Sequence, residues 1–327
     1  MPATLGGPWP QPARHPKAKT VHKVRRHPAI EAAMSGGRLV TRAAGVLSAP
    51  LRPDPDFLLI GAKRGGTTSA YFHVLSHPDV LPLFPSARLL PKGRDTKGTS
   101  FFTTNYHLGS VWYASHFPSR AQRLIHQRRS GHAGIAGEAS PYYLYHPLAA
   151  DRVHAHVPDA RLLIALRDPI DRAHSAWREQ TRNGVEKLSF EDALDAEEAR
   201  LGSEAQRLVA EPGYISFSHE FQSYAAQSRY AESLARWFAL FPREHIHVWA
   251  SEDYYTAPNE TVRAITAFLG LDPERLPAIE QRLNAAPKTD MEPATRDRLR
   301  RYFADDVAET SRLLGRAMPW PNFAGGD

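Results

Sequence analysis

The stretch Phe57-Leu-Leu-Ile-Gly-Ala-Lys-Arg-Gly-Gly-Thr-Thr-Ser69 starts as an apolar run, continues as a basic, glycine-rich turn and ends in residues that favour a helix. This order predicts a strand, a phosphate-binding loop and a helix N-terminus. Glycines let the backbone approach an anion closely, and the free amides at a helix start carry positive potential. Lys63 and Arg64 add formal positive charge beside them. The stretch therefore predicts a loop that holds a nucleotide.

The spacing of this loop is close to that of a Walker A loop. An ATPase of that class carries its phosphate-binding lysine directly after the last glycine, and here that position is Thr67. The basic residues precede the glycines instead. Taken alone, the turn is also compatible with a tight strand-to-helix connection that binds nothing.

A second site with the same layout follows at Arg161-Leu-Leu-Ile-Ala-Leu-Arg-Asp-Pro-Ile-Asp-Arg-Ala-His-Ser-Ala-Trp177. Leu162 to Leu166 is a continuous apolar run typical of a parallel strand, Asp168 suits an N-cap and Pro169 suits the first helical position. Arg167 is then expected at the carboxyl tip of the strand, where ligands bind in open parallel sheets. The alternative is that Arg167 and Asp168 simply pair at a helix start.

The remaining pattern predicts an α/β fold. His245 to Trp249 is a predicted strand, Asn259 to Leu269 a helix ended by Gly270, and Pro293 to Leu314 a last amphipathic helix. Tyr224 to Phe241 carries aromatic and aliphatic residues at helical spacing. We predict a P-loop-like three-layer sandwich, with helices on both faces of a central parallel sheet and both anion loops at its carboxyl edge.

Together, Gly61 to Ser69 and Leu166 to Ser175 resemble the two cofactor signatures of sulfotransferases that use 3′-phosphoadenosine 5′-phosphosulfate (PAPS). The resemblance is to the carbohydrate branch, which includes the heparan sulfate enzymes, and it covers roughly residues 56 to 320 in one collinear series. Further matching segments are Leu75-Ser-His-Pro-Asp-Val80, Phe101-Phe102, Trp112-Tyr113, Gly137-Glu-Ala-Ser-Pro-Tyr-Tyr143, Phe268-Leu-Gly-Leu271 and Leu313-Leu-Gly-Arg316 before Trp320.

The resemblance implies a role for each loop. Arg167 and Ser175 would hold the 3′ phosphate of PAPS by charge-assisted hydrogen bonds. Arg64 aligns with the catalytic lysine of the heparan-type enzymes, and Lys63 stands beside it as a second candidate cation. The family works without a metal, so none is expected. The residues implied to wrap the 5′ phosphosulfate are Lys63, Arg64, Gly65, Gly66, Thr67, Thr68 and Ser69.

The base that accepts the acceptor's proton is where the sequence departs from the family pattern. Heparan-type enzymes place a glutamate shortly before the Phe-Phe pair, and this chain has Gly98 there. We predict His107 as the base and Glu138 as a member of the site. The alternatives are that His107 is an exposed loop histidine and that Glu138 pairs with a nearby cation.

Composition is consistent with one large enzyme domain. Of the 327 residues, we predict 1–52 as a flexible basic, Pro-rich tail and 53–327 as the sulfotransferase domain. The tail contains no apolar run suited to a signal peptide or a transmembrane segment, and the chain has no cysteine. We therefore expect a cytoplasmic protein without disulfides or thiolate metal sites.

The net charge of +6 is explained by a basic tail and an anionic cofactor, and no specific nucleic-acid-binding motif is present. The histidines show no metal-binding spacing. We expect sulfuryl transfer from PAPS to an acceptor hydroxyl, on a carbohydrate, glycolipid or glycosylated metabolite. The alternatives are a P-loop ATP-dependent kinase, which would require magnesium, and a nucleotide-binding protein that has lost catalysis. The oligomeric state is left open.

Overall fold

The computed structural model describes residues 42–85, 97–279 and 291–323. Within these ranges the strands form one parallel sheet in the order β2-β1-β3-β4. The strands are β1 (Phe57–Gly61), β2 (Gly137–Ala139), β3 (Arg161–Leu166) and β4 (Ile246–Ala250). The predicted α/β class with a central parallel sheet is confirmed.

Helices connect the strands and flank the sheet. A short helical segment at residues 42–47 precedes β1. The helices that follow are α1 (Thr67–Leu75), α2 (Gly109–Ala114), α3 (Arg120–Ser130), α4 (Ala149–His156), α5 (Pro169–Arg182), α6 (Phe190–Asp195), α7 (Glu197–Leu201), α8 (Glu204–Ala210), α9 (Phe217–Phe221), α10 (Ala231–Leu240), α11 (Ser251–Thr256), α12 (Pro258–Phe268) and α13 (Pro293–Leu314).

Alternate residues of each strand point to opposite sides of the sheet. Both faces are buried, because helices pack on each of them. In β1, Leu58 and Ile60 belong to one hydrophobic core, and Phe57 and Leu59 belong to another. Helices α4 and α10 supply side chains to the first core, and α1 and α12 to the second. This arrangement gives the three layers that the sequence predicts.

Element boundaries agree closely with the predictions except in one segment. The helix predicted from Tyr224 to Phe241 begins only at Ala231. Residues 225 and 226 instead donate their backbone N–H groups to the carboxylate of Glu197, at 2.8 and 2.7 Å. Such bonds would suit a helix start, but residues 226–228 form only a 3-10 turn. Arg229 is then extended, with φ −84° and ψ 103°, so a continuous helix cannot run through it. The apolar spacing alone does not reveal this tertiary interaction.

The packed domain begins before the predicted boundary at residue 52. Arg42 donates a hydrogen bond to Ser115 Oγ at 2.7 Å, and Arg52 donates to the backbone carbonyl of Phe117. Residues 42–52 are thus attached to the domain by their basic side chains, which a tail prediction based on composition does not anticipate. Residues 1–41 of the predicted tail lie outside the described residues.

The fold brings the two predicted anion loops to one edge of the sheet. β1 and β3 are parallel neighbours, so the loops that follow them lie side by side at the carboxyl edge. Ser251, directly after β4, donates its hydroxyl to the carbonyls of Gly65 and Leu166, at 2.9 and 3.0 Å. One buried hydroxyl therefore links both loops to the end of β4. Among the helices of the described ranges, none combines the length and apolar character needed to cross a bilayer.

Candidate active site at the carboxyl edge of the sheet

The glycine-rich loop turns tightly between β1 and α1. Gly66 adopts a left-handed conformation with φ 78°, which a glycine tolerates without steric cost. A Cβ on Gly65 would lie 2.7 Å from the carbonyl oxygen of Ala165, so the loop packs directly on β3. No side chain caps the start of α1. The first-turn amides at Thr67, Thr68 and Ser69 therefore form the type of helix N-terminus that binds anions.

Lys63 is largely buried beside the glycine-rich loop, where one carboxylate and two aromatic rings surround its ammonium group. Its Nζ lies 2.9 Å from Glu220 Oε1 and 4.1 Å from the centre of the Phe221 ring. Burial lowers the pKa of Lys63, and the charge of Glu220 opposes that change. The ammonium is thus held by α9.

Arg64 joins the two predicted loops through its side chain. Its Nε donates to Ser175 Oγ at 3.1 Å, and one terminal nitrogen donates to Glu179 Oε1 at 2.6 Å. Ser175 and Glu179 lie one turn apart on α5, so they face the same side of that helix. The structure therefore brings Arg64 and Ser175 together, whereas the resemblance implied Ser175 as the partner of Arg167 at the 3′ phosphate.

Arg167 lies at the end of β3, where the sequence places it. Its Nε is buried and has no hydrogen-bond partner within the described part of the chain. Its closest carboxylate is that of Asp171, at 3.9 Å, which is a weak contact for a partly exposed pair. Because a buried guanidinium nitrogen without a partner is costly, this group fits an anionic ligand that would complete its hydrogen bonds. Asp168 caps α5 and does not pair with Arg167, contrary to the alternative considered from the sequence.

Lys97 is a site residue that the sequence analysis missed. Its Nζ donates to Thr68 Oγ1 at 2.7 Å, in the first turn of α1. Burial lowers the pKa of Lys97 to about 8; Glu179 opposes this change, and Lys63 and Arg64 add to it. These three residues thus lie within electrostatic range of the lysine. The only sequence signal for Lys97 was its position next to Gly98, where the family pattern has a glutamate and no cation is expected.

Arg172 is a second residue that the sequence analysis missed, and it holds the backbone of the glycine-rich loop. It is 1% exposed. Its Nε donates to the Lys63 carbonyl at 2.9 Å, and its terminal nitrogens reach the Tyr224 carbonyl and the Gln227 side chain. Burial lowers the pKa of this arginine. Arg172 fixes the backbone of the loop, and no local sequence pattern identifies that function.

Glu138 is fully buried within hydrogen-bonding distance of several donors. Its carboxylate accepts from Thr99 Oγ1 and Ser140 Oγ at 2.9 Å and from Tyr143 OH at 2.8 Å. Burial raises the pKa of Glu138, while these hydrogen bonds act in the opposite direction. None of these partners is a cation. The arrangement ties residue 99 to β2 and favours a structural function over the predicted membership of the catalytic site.

His107 lies outside the two anion loops and makes no side-chain hydrogen bond to either of them within the described residues. It is exposed, and the preceding Tyr106 bonds through its hydroxyl to His156 Nε2 at 3.0 Å. His156 ends α4, and it lines a cavity together with Asp54 and Arg161. Those two residues precede β1 and begin β3, so this cavity is at the amino edge of the sheet. The Tyr106 hydroxyl therefore reaches the amino edge, but no contact joins His107 itself to the reactive loop, so the structure gives no geometric support for the predicted function of His107 as the base.

Position 98, where the family glutamate is expected, has no room for a side chain. A Cβ built on Gly98 would lie 2.2 Å from the carbonyl oxygen of Ala139. Residue 97 also accepts a backbone hydrogen bond from Ala139 at 2.6 Å, which holds this segment against β2. A glutamate at position 98 would therefore require a different backbone. The local fold is compatible only with glycine at this position.

Glu252 stands at the carboxyl end of β4 beside the second loop. Its Oε1 accepts from the Asp168 backbone N–H at 3.0 Å, and its Oε2 is buried without a hydrogen-bond partner among the described residues. Burial raises the pKa of Glu252 to about 7; the Asp168 charge adds to this change, and Arg167 opposes it. Arg167 therefore has a titratable neighbour near neutral pH.

An open cavity of about 580 Å³ borders this arrangement. Arg64, Ser175 and Glu179 contribute to its wall, and Trp177 and His174 stack beside them at an interplanar angle of 11°. The cavity provides a route from solvent to the Arg64 guanidinium. Within the described ranges, no group of three or more acidic or histidine side chains is arranged to hold a metal ion.

The comparisons with known proteins identify the class. Residues 54–295 match the sulfotransferase domain family, which shows that the chain belongs to that family and confirms the predicted resemblance. A crystal structure of a sulfotransferase from Alicyclobacillus acidocaldarius superposes with a TM-score of 0.56 and is 28% identical, covering 81% of this chain and 98% of that one. The predicted fold class is therefore supported by a solved relative as well as by the sheet topology.

Curated relatives include proteins of different length. The membrane-associated sulfotransferase kil1 of Dictyostelium discoideum is 22% identical over 82% of this chain and 67% of its own length. The bifunctional heparan sulfate N-deacetylase/N-sulfotransferase 3 of Homo sapiens is 28% identical over 67% of this chain. The chain spans 22% of the length of that human relative.

Proposed function

We propose that this protein transfers the sulfuryl group of PAPS to a hydroxyl of a carbohydrate-containing acceptor. The single observation that carries the proposal is the contact between Arg64 and Ser175, since it joins the glycine-rich loop and the second loop into one cationic site. A nucleotide that is charged at both its 5′ and 3′ positions requires two such anion-binding groups in one site.

The residues present fit this donor. The open start of α1, with Lys63, Arg64 and Lys97, would hold the 5′ phosphosulfate, and Arg167, with its unpartnered Nε, would hold the 3′ phosphate. When bound, PAPS supplies an activated sulfuryl group. Arg64 would stabilise the charge that develops on the leaving nucleotide. The carbohydrate acceptor is proposed because the relatives include heparan sulfate sulfotransferases. The cytoplasmic location is proposed from the sequence.

Calorimetry distinguishes this function from that of a kinase. We expect adenosine 3′,5′-bisphosphate to bind without a metal and more tightly than ATP with magnesium. A preference for magnesium-ATP would support the P-loop kinase alternative and reject the proposal. The same titration with Arg312→Ala serves as the control, because Arg312 pairs with Glu309 on the exposed face of α13.

Radiolabel transfer distinguishes an active enzyme from a binder. PAPS labelled in its sulfuryl group is incubated with an unsulfated glucuronic acid–N-acetylglucosamine polysaccharide, with its N-deacetylated form and with an alkyl glucoside. Label in the first polysaccharide or the glucoside supports hydroxyl transfer, and label only in the N-deacetylated form would show an amine acceptor. Tight bisphosphate binding with no label in any of them, and no release of labelled sulfate, would support a binding protein.

A further inference from the structure

The inference below rests on the proposed function and concerns the group that accepts the acceptor's proton. The position of the family glutamate is Gly98, which cannot carry a side chain in this backbone. Glu138 is enclosed by hydrogen-bond donors, and His107 makes no side-chain hydrogen bond to either anion loop within the described residues. If the chain is an active enzyme, another residue near Arg64 must take the proton.

Glu179 is the carboxylate closest to the predicted reactive cation. Its Oε1 lies 2.6 Å from a terminal nitrogen of Arg64, and its side chain is 28% exposed. It borders the 580 Å³ cavity together with Arg64 and Ser175. An acceptor that enters this cavity would therefore meet the carboxylate and the guanidinium side by side.

The other ionisable groups nearby are less suited to this function. Glu220 pairs with Lys63 and is not part of the cavity wall. Lys97 donates its hydrogen bond to Thr68, in the part of the loop suited to binding the 5′ phosphate. His174 does line the cavity, but it stacks on Trp177 and makes no contact with Arg64 within the described residues. Glu179 combines accessibility with contact to the reactive cation.

We propose that Glu179 is the general base of this enzyme and replaces the glutamate that is absent at position 98. The Glu179 carboxylate accepts the proton of the acceptor hydroxyl as the bond between that oxygen and sulfur forms. The bond from sulfur to the 5′ phosphate oxygen breaks, and its electron pair remains on that oxygen, beside Arg64. The products are the sulfate ester, adenosine 3′,5′-bisphosphate and a proton that Glu179 releases to solvent.

The test separates chemistry from nucleotide binding in the full-length protein. Glu179→Gln removes the proton acceptor but keeps a similar shape, and Glu179→Asp keeps a carboxylate. We expect the Gln variant to lose roughly 10²- to 10⁴-fold in turnover, the range for one general base. Turnover is measured as label transfer to the polysaccharide and as sulfate release from PAPS with water as the probe acceptor. The bisphosphate affinity should be unchanged or tighter, because a negative charge next to Arg64 is removed.

Two further variants keep the test decisive. Glu309→Gln removes the same charge from an arginine pair on α13 and should retain full turnover. Glu179→Ala with added sodium formate should regain turnover that the buffer without formate does not restore, because the small carboxylate can act as the base. Partial activity in the Asp variant would agree with this.

Full turnover in Glu179→Gln would overturn the proposal and leave the sulfotransferase function intact. Parallel loss of bisphosphate affinity and turnover would also overturn it, because that pattern indicates that Glu179 positions Arg64. If the wild-type protein binds the bisphosphate but neither transfers nor releases sulfate, the base assignment falls together with the proposed activity.

Discussion

Arg64 and Ser175 hydrogen-bond across the carboxyl edge of the sheet, with Arg64 Nε 3.1 Å from Ser175 Oγ. The two residues are separated by two strands and several helices along the chain, yet they form one wall of the same site. This contact connects the loop after β1 with the helix after β3. A change in either residue is therefore expected to alter both binding regions.

Replacing Arg64 should affect turnover more than nucleotide affinity. Arg64→Ala removes the cation that would stabilise the leaving phosphate, and we expect turnover to fall about 10²- to 10³-fold, as for loss of a single oxyanion donor. Arg64→Lys keeps the charge and should retain intermediate turnover. Sulfate release from PAPS measures both variants. Equal turnover in the Ala variant and the wild type would contradict this assignment.

Replacing Arg167 should weaken binding of the 3′ phosphate selectively. A hydrogen bond to a charged group contributes about 1.5–3 kcal/mol, so Arg167→Ala should lower the affinity for adenosine 3′,5′-bisphosphate by roughly one to two orders of magnitude. Adenosine 5′-monophosphate lacks the 3′ phosphate, and its affinity should change little. Calorimetry with both ligands measures the difference. Equal losses for the two nucleotides would show that Arg167 does not recognise the 3′ group.

Lys97 should make nucleotide binding dependent on pH in the alkaline range. Its pKa is lowered to about 8, mainly by burial, so the ammonium loses its proton as the pH rises through that value. The site then loses a positive charge, and the affinity for the bisphosphate should fall between about pH 7 and 9. Lys97→Met should bind more weakly at pH 7 and show a flatter profile. Identical profiles for the two proteins would exclude Lys97 from the anion site.

Glu252 should contribute a separate pH dependence near neutrality. Its pKa is raised to about 7 by burial, so its carboxyl is neutral below that pH and negative above it. The negative form competes with a phosphate for Arg167, and affinity should decrease as the pH rises through 7. Glu252→Gln should remove this component. Ionisation of the ligand affects both proteins equally, so it cancels when the affinity of the variant is compared with that of the wild type at each pH. A ratio of affinities that does not change with pH would refute the prediction.

Glu138 is expected to matter for stability. Glu138→Ala leaves the hydroxyls of Thr99, Ser140 and Tyr143 without their shared acceptor, and we expect a loss of about 2–4 kcal/mol in the free energy of unfolding. Denaturant unfolding measures this quantity. Glu309→Ala on the surface should change it by less than about 0.5 kcal/mol. Unchanged stability in Glu138→Ala would show that these hydrogen bonds have no net effect.

The sequence predicted much of this site because its signals are local. An apolar run followed by glycines and cations specifies a strand, a tight turn and a helix start within thirteen consecutive residues, and all three occur from Phe57 to Ser69. Arg167 and the N-cap Asp168 follow from the same kind of pattern. Glu179 was also within reach, because it lies one helical turn after Ser175.

Other assignments depended on contacts between distant segments, and there the sequence was insufficient. Lys97 reaches Thr68, and Glu220 reaches Lys63 from a separate helix. His107 was proposed as the base by residue type alone, and within the described residues it makes no contact with the reactive loop.

Thus the order of apolar, glycine and basic residues by itself determined the class of fold, the family and the two candidate anion loops. Local backbone preferences and side-chain periodicity are encoded in neighbouring residues, so they can be read along the chain. Only the tertiary structure decided which carboxylates and lysines surround Arg64. Those neighbours are brought together by packing of helices on the parallel sheet, and their separation along the sequence carries no information about distance in space.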